Sequence, residues 1–122
     1  MDYPTLIFIG RLLFGGFFVL MGLNHFTKAN ALTAMAKSKK VPSPKLAVLL
    51  GGVFLLVGGF GVVFAAYVQF AVLLLVMFLI VTSLFMHNFW SLKDTNDRMS
   101  QMSNFLKNMA LVGGALIALL LV

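Results

Sequence analysis

The sequence predicts an all-α protein, a transmembrane four-helix bundle, and three observations support this fold class. Hydrophobic residues make up 61% of the 122 residues, which exceeds their share in ordinary soluble domains. Residues 46–86 include no Lys, Arg, Asp, Glu or His. As one helix this stretch would extend about 60 Å, twice the thickness of a bilayer core, so it must cross the membrane twice. Apolar segments on either side supply two further spans.

Local signals divide the chain into these spans. Pro4 lies where a first helical turn needs no N–H, so it can begin helix one. A tight turn near 64–69 separates helices two and three, because Tyr67 and Gln69 suit a membrane interface. The first residues lack the positive charge of a signal peptide, and helix one is therefore expected to be retained. The predicted spans, which form a single membrane domain over 1–122, are 5–24, 45–64, 67–86 and 105–122.

Two polar segments, residues 26–45 and 88–104, are expected to form loops on the same side of the membrane. The first has Ala, Leu and Met at helical intervals over 27–38, which predicts a short interfacial helix. Eight of the nine Lys and Arg residues lie on this side, and the ninth is Arg11. The positive-inside rule therefore predicts a multi-pass protein of the cell inner membrane with both loops in the cytoplasm and both termini outside.

Charge and composition also exclude several classes of function. The net charge of +6 does not indicate a nucleic-acid partner, because the basic residues lie beside apolar spans and not along one exposed element. This pattern favours anionic lipid headgroups as the partner. The absence of cysteine excludes disulfides and thiolate metal sites. With no evident nucleophile, carboxylate pair or phosphate loop, we predict no independent catalytic activity and no metal site.

Glycines recur at helical spacing and predict close packing between helices. In helix one, steps of four and three residues connect Arg11 to His25 through two glycines and a phenylalanine, and this face is expected to contact protein. In helix two, glycines seven residues apart stack on one side, where a neighbouring backbone can approach closely. The predicted packing residues are Gly15, Gly22, Gly51, Gly58, Gly59 and Gly113.

Two histidines are the candidate ligand-binding residues. His25 and His87 close helices one and three, which run in the same direction, so the two side chains are expected at similar depth. Asn24 lies beside the first of them. Two neutral imidazoles can hold a haem or metal ion, or one can hydrogen-bond a quinone carbonyl. The alternative is that water and lipid headgroups satisfy both histidines at the interface, where polar residues cost least.

Arg11 lies within the predicted first span, about 9 Å beyond its start at a rise of 1.5 Å per residue. A charge near the bilayer centre costs about 2.5 to 3.5 kcal/mol on insertion scales. Its side chain either extends back to the interface or contacts a partner, and no Asp or Glu lies within any span. The remaining candidate partners are backbone carbonyls, hydroxyls, Gln69, or a bound anion or lipid.

The order and spacing of these features resemble the DoxX family of small four-helix membrane proteins. The resemblance rests on GRLLFG at 10–15, MGLNHF at 21–26, PSP at 42–44, the Gly58-Gly59 pair and His87. It implies motif positions, and hence a candidate quinone or ligand site, at Arg11, Asn24, His25 and His87. The chain departs from the family pattern at 54–56 (FLL), where a Glu often precedes the glycine pair, so a Glu partner for Arg11 is not expected.

The resemblance also implies a function. DoxX proteins are described as components of redox or respiratory assemblies, including a subunit of a thiosulfate:quinone oxidoreductase and a partner in oxidative-stress complexes. We therefore expect an accessory subunit of such an assembly with a quinone or lipid site, with quinone favoured over haem as the cofactor. Its expected partners are the lipid bilayer and another membrane or redox protein, and a homo-oligomer is also open. The alternatives are an assembly chaperone or scaffold for membrane proteins, and a small-solute transporter.

Overall fold

The computed structural model describes residues 2–121, which form five α-helices and one short 3₁₀ turn, with no strand among those residues. Every helix except the second is long and apolar enough to cross a membrane. The predicted all-α transmembrane bundle is therefore confirmed. The elements are α1 (Tyr3–Thr27), α2 (Ala29–Ser38), α3 (Pro44–Val63), α4 (Val68–Met86), the 3₁₀ turn (Phe89–Ser91) and α5 (Thr95–Leu120).

Helix α1 begins at a side-chain cap. The Asp2 carboxylate accepts a hydrogen bond from the backbone N–H of Thr5 at 2.9 Å, and Pro4 occupies the first turn as the sequence predicts. Hydrogen bonds from the Thr5 hydroxyl and its backbone N–H lower the pKa of this exposed carboxyl group. The buried residues of α1 are Gly15, Phe18 and Gly22, which form the centre of the face expected to contact protein.

Helix α2 corresponds to the short helix expected over 27–38. It packs mainly against α3, and Ala36 is its buried residue. Lys40 and Ser43, in the segment that leads into α3, have positive φ angles of 60° and 46°. Non-glycine residues rarely adopt this left-handed conformation. The segment between α2 and α3 is therefore a conformationally restricted turn.

Helix α5 starts ten residues before its predicted span at 105, so the predicted loop over 88–104 is largely helical. Asp94 caps this helix, because its carboxylate accepts a hydrogen bond from the N–H of Asp97 at 3.0 Å. The polar composition of this segment suggested a loop, but a helix can extend beyond the membrane. With 26 residues, α5 is about 39 Å long, which exceeds the apolar core of a bilayer.

Glycines close the half of the bundle that contains the α3–α4 turn. The backbones of α1 and α3 meet where a Cβ on Gly15 would lie 2.6 Å from the carbonyl oxygen of Gly59. Helices α3 and α4 meet where a Cβ on Gly58 would lie 2.6 Å from Leu75. Small residues permit such contacts in lipid, where packing has to hold helices together. The four long helices pack in chain order, each on the next.

The glycine pairs in α3 pack against two different helices. Gly58 faces side chains of α4, Gly52 and Gly59 face α1, and Gly51 faces both Phe78 of α4 and His25 of α1. The predicted packing glycine in α5 needs correction, because a Cβ on Gly113 would meet nothing within 4 Å. The neighbouring Gly114 faces α1 instead, because a Cβ there would lie 2.8 Å from the ring of Phe14. One residue turns a helix by about 100°, so the two glycines face different directions. Gly22, another of the predicted packing residues, faces α3, because a Cβ there would lie 2.8 Å from the side chain of Leu56.

Candidate ligand-binding cavity

A cavity of about 620 Å³ occupies the half of the bundle nearest the lysine-rich segments, and α1 through α5 all contribute to its lining. On α3 and α4 its lining lies within 47–55 and 77–87, beyond the glycine contacts that close the other half. Its volume falls within the range of roughly 300 to 1,000 Å³ that is typical of small-molecule sites. The close glycine contacts between helices therefore lie toward one end of the bundle, and this cavity lies toward the other.

The cavity has apolar walls and a smaller set of polar side chains. Such a combination is typical of binding sites, where polar groups fix the orientation of a largely apolar ligand. The polar groups lie on α1, α4, α5 and just after α4. They are His25, Thr82, His87, Asn104, Lys107 and Asn108, and the large apolar side chains include Phe17, Met21, Met35, Phe54, Phe78 and Phe85.

His25 lies in the last turn of α1 and is held by α3. Its Nδ1 lies 2.8 Å from the carbonyl oxygen of Val48, and its ring makes an edge contact with Phe78 at a centroid distance of 5.4 Å. Gly51 leaves space for this ring, because a Cβ there would lie 3.2 Å from the ring's Cε1. A carbonyl can only accept, so Nδ1 donates, and the neutral imidazole has its lone pair on Nε2.

His87 is the residue that follows α4, and α5 holds it in a similar way. Its Nδ1 lies 2.7 Å from Oε1 of Gln101, so the imidazole N–H donates to this oxygen. Nε2 again retains its lone pair when the ring is neutral. The two histidines therefore have the same anchoring pattern, in which Nδ1 is used within the protein and Nε2 is not.

The two histidines do not lie at the similar depth that the sequence predicts. The ring of His25 contacts Phe78, which precedes His87 by nine residues, or about 13.5 Å of helical rise and about two and a half turns of helix. The difference arises because α1 ends at Thr27 and the chain turns into α2, whereas α4 continues beyond that level. The histidines line one cavity from separate places and are hydrogen-bonded to different helices.

Helix α5 contributes a polar face that the sequence reasoning missed. Gln101, Asn104 and Asn108 are separated by three and four residues, so they share one side of the helix. Asn108 is 7% exposed and donates a hydrogen bond of 3.1 Å to the fully buried hydroxyl of Ser83. The same spacing continues to Leu111 and the buried Ala115. This heptad-like spacing is typical of the inner face of a helix, and it was the signal in the sequence that could have identified this face.

Lys107 also lies on α5 and is the one side chain among the nine Lys and Arg residues that lines the cavity. The chain has three carboxylate side chains, all within the described residues, and none of them lines the cavity. The permanent charge in the lining is therefore positive.

Arg11 and Asn24 lie outside the cavity lining, unlike the two histidines. Arg11 lies in the closed half and is partly buried, and its Nε is buried without a hydrogen-bond partner among residues 2–121. It precedes His25 by 14 residues, or about 21 Å along α1. Asn24 is partly buried, and its backbone carbonyl accepts a hydrogen bond from Lys28. These four candidate residues therefore do not meet at one site.

Within the described part of the chain, no group of three or more His, Asp or Glu side chains could hold a metal ion.

The DoxX family model matches residues 6–88. The chain belongs to the DoxX family. Together with the four apolar helices, this membership identifies a multi-pass integral membrane protein. No curated protein and no solved structure matches the chain.

The cavity of this DoxX-family protein combines residues from inside and outside the matched range. Both histidines lie within residues 6–88, whereas the polar face of α5 lies beyond them. Leu55, in the region where the resemblance implied a Glu, is 1% exposed and lines the cavity. The wall is therefore apolar at this position, and the polar groups come from α1, α4 and α5.

Proposed function

We propose that this DoxX-family protein is an accessory subunit of a membrane redox or respiratory assembly, and that its cavity holds the head of a quinone or lipid. The observation that carries the proposal is the cavity itself, which joins apolar walls to His25, His87 and the polar face of α5. A ligand with a polar head and a long apolar chain matches both parts of such a lining.

The side chains in the lining suit both redox forms of a quinone. Nε2 of His25 and Nε2 of His87 can each accept a hydrogen bond from a hydroxyl group when the imidazole is neutral. Thr82, Asn104 and Lys107 supply donors for a carbonyl oxygen. When bound, the quinone would supply the redox chemistry. The protein would bind and orient its head and exclude water from it.

We also propose that the cavity faces the cytoplasmic side of the inner membrane. Eight of the nine cationic side chains lie at this end, as the positive-inside rule requires of cytoplasmic segments. Tyr3 and Tyr67 lie at the opposite end with 81% and 89% of their surface exposed, which suits an aromatic belt at the outer interface. In this orientation the cavity lies beside the anionic inner leaflet.

The decisive experiment compares two phenylalanine substitutions on α3. Ala47 lines the cavity, whereas Val53 is 45% exposed and does not. Each variant would be purified in mild detergent, and its bound quinone and lipid quantified by mass spectrometry. We expect Ala47→Phe to lower the bound ligand severalfold and Val53→Phe to leave it unchanged. Equal amounts in both variants would disprove ligand binding in the cavity.

The accessory role itself is tested by capture of an intact complex. Cross-linked native membranes should yield this protein with a subunit that carries a flavin, haem or iron–sulfur cofactor. If the captured partners were newly made membrane proteins of many kinds, the chaperone alternative would replace the proposal. The structure gives that alternative limited support, since Gly58 and Gly59 are already covered by Leu75 and Gly15.

A further inference from the structure

We infer that the cavity selects an amphiphile with an anionic headgroup, which Lys107 binds at the charged end. This inference rests on the proposal that the cavity holds an amphiphilic ligand and adds the charge of its head. It is argued from α5, which lies outside the range matched by the family.

The first support is the position of Lys107. It lies 12 residues after Thr95, so it is about 18 Å along α5 and within reach of the membrane interface. The other Lys and Arg side chains do not line the cavity, and no Asp or Glu lines it either. Lys107 is an exposed residue of this lining. An ammonium group beside a largely apolar cavity attracts an opposite charge. No carboxylate side chain in the lining supplies that charge, and an acidic headgroup can supply it.

The second support is the set of neutral hydrogen-bonding groups around this lysine. Asn104 lies one turn before Lys107 on the same helix, and Asn108 is fixed by its hydrogen bond to Ser83. An acidic headgroup offers several acceptor oxygens, which the ammonium and the amide N–H groups can share. A lysine beside amide donors therefore recognises an acid better than a neutral head.

The third support is the shape of the lining. From the α5 residues the cavity continues along apolar side chains such as Phe18, Phe54 and Leu55 on α1 and α3. An apolar chain attached to the headgroup would be buried there. A zwitterionic lipid would bring its own cation close to Lys107, and like charges disfavour each other. The lining therefore favours an acidic lipid over a zwitterionic lipid and over a free anion.

The test measures lipid retention by native mass spectrometry of the full chain. The protein is equilibrated with equal amounts of phosphatidylglycerol and phosphatidylcholine that carry the same acyl chains. We expect retention of phosphatidylglycerol to exceed that of phosphatidylcholine on the order of tenfold, as a charge-assisted hydrogen bond provides. Lys107→Gln should abolish this preference, and Lys107→Arg should keep it. Lys93→Gln is the matched control, because Lys93 lies at the same end but outside the cavity lining.

Further arms separate the possible failures. If Lys107→Gln keeps the preference, or if Lys93→Gln loses it equally, selection by Lys107 is wrong. Ala47→Phe should then still lower retention of both lipids if the cavity binds amphiphiles at all. If Ala47→Phe changes the retention of neither lipid, the underlying proposal that the cavity holds an amphiphile fails. Inorganic phosphate at millimolar concentration should not displace phosphatidylglycerol, and full displacement would show a site for free anions instead. Lys107→Met provides the same comparison if Lys107→Gln does not fold.

Discussion

Gly15 and Gly59 bring the backbones of α1 and α3 into direct contact, and neither position has room for a side chain. A Cβ on Gly15 would lie 2.6 Å from the Gly59 carbonyl oxygen, and a Cβ on Gly59 would lie 2.7 Å from that of Gly15. The obstructing atoms belong to the backbone, so they cannot move aside as the end of a flexible side chain can. This crossing fixes α1 against α3 and thereby closes one half of the bundle.

We therefore expect Gly15→Ala to destabilise the protein by about 1 to 3 kcal/mol, the usual cost of overpacking a close contact. Gly16→Ala is the matched control, because a Cβ there would meet nothing within 4 Å. Alanine favours a helix over glycine by roughly 0.5 to 1 kcal/mol, so the control should be unchanged or slightly more stable. Thermal unfolding in detergent measures both. A stable Gly15→Ala variant would contradict the close approach of the two backbones.

The hydrogen bond from Asn108 to Ser83 should stabilise the packing of α5 on α4. Removal of either partner leaves a polar group buried, and removal of both does not. A double-mutant cycle of Asn108→Leu and Ser83→Ala should therefore give a coupling of about 0.6 to 1.7 kcal/mol, as found for hydrogen bonds between membrane helices. Reversible unfolding in mixed micelles provides the free energies. A coupling near zero would mean that the two side chains act independently.

The separation of His25 from His87 also gives a testable expectation. Each imidazole has its own hydrogen-bond acceptor, on α3 and α5 respectively. The free-energy changes caused by substitutions at two distant residues without shared partners usually add to within about 0.3 to 0.5 kcal/mol. We therefore expect His25→Gln and His87→Gln each to lower ligand affinity, and the double variant to show the sum. Titration with a soluble quinone analogue measures this, and a strongly non-additive result would show that the histidines act as one unit.

The sequence predicts much of the fold because the membrane imposes simple requirements. An uncharged stretch of the length of 46–86 has to cross a bilayer twice, and glycine spacing identifies the faces that pack. The same reasoning is wrong for α5, because the polar residues of 88–104 predict a loop and the helix begins at Thr95. Polarity separates membrane from water, but it does not separate loop from helix once a chain leaves the bilayer. The cap at Asp94 was the available local signal.

The site was less predictable than the fold for a different physical reason. Spacing within a helix shows which residues share a face, but the relative heights of two helices depend on their contacts. His25 is positioned by α3, through the carbonyl of Val48 and the space beside Gly51. No pattern in α1 alone carries that information. The polar face of α5 was recognisable only once Gln101, Asn104 and Asn108 were known to lie on one helix.

The proposed orientation can be tested directly because the chain has no cysteine. Lys37 is exposed on α2 at the charged end, and Ala66 is exposed in the turn between α3 and α4 at the other end. Lys37→Cys and Ala66→Cys would each be expressed in a bacterial inner membrane and treated with a membrane-impermeant maleimide. Because the charged end is expected in the cytoplasm, intact cells should label Ala66→Cys alone. Lys37→Cys should react only after the membrane is permeabilised. The reverse pattern would place the lysine-rich end, and with it the cavity, toward the outside of the cell.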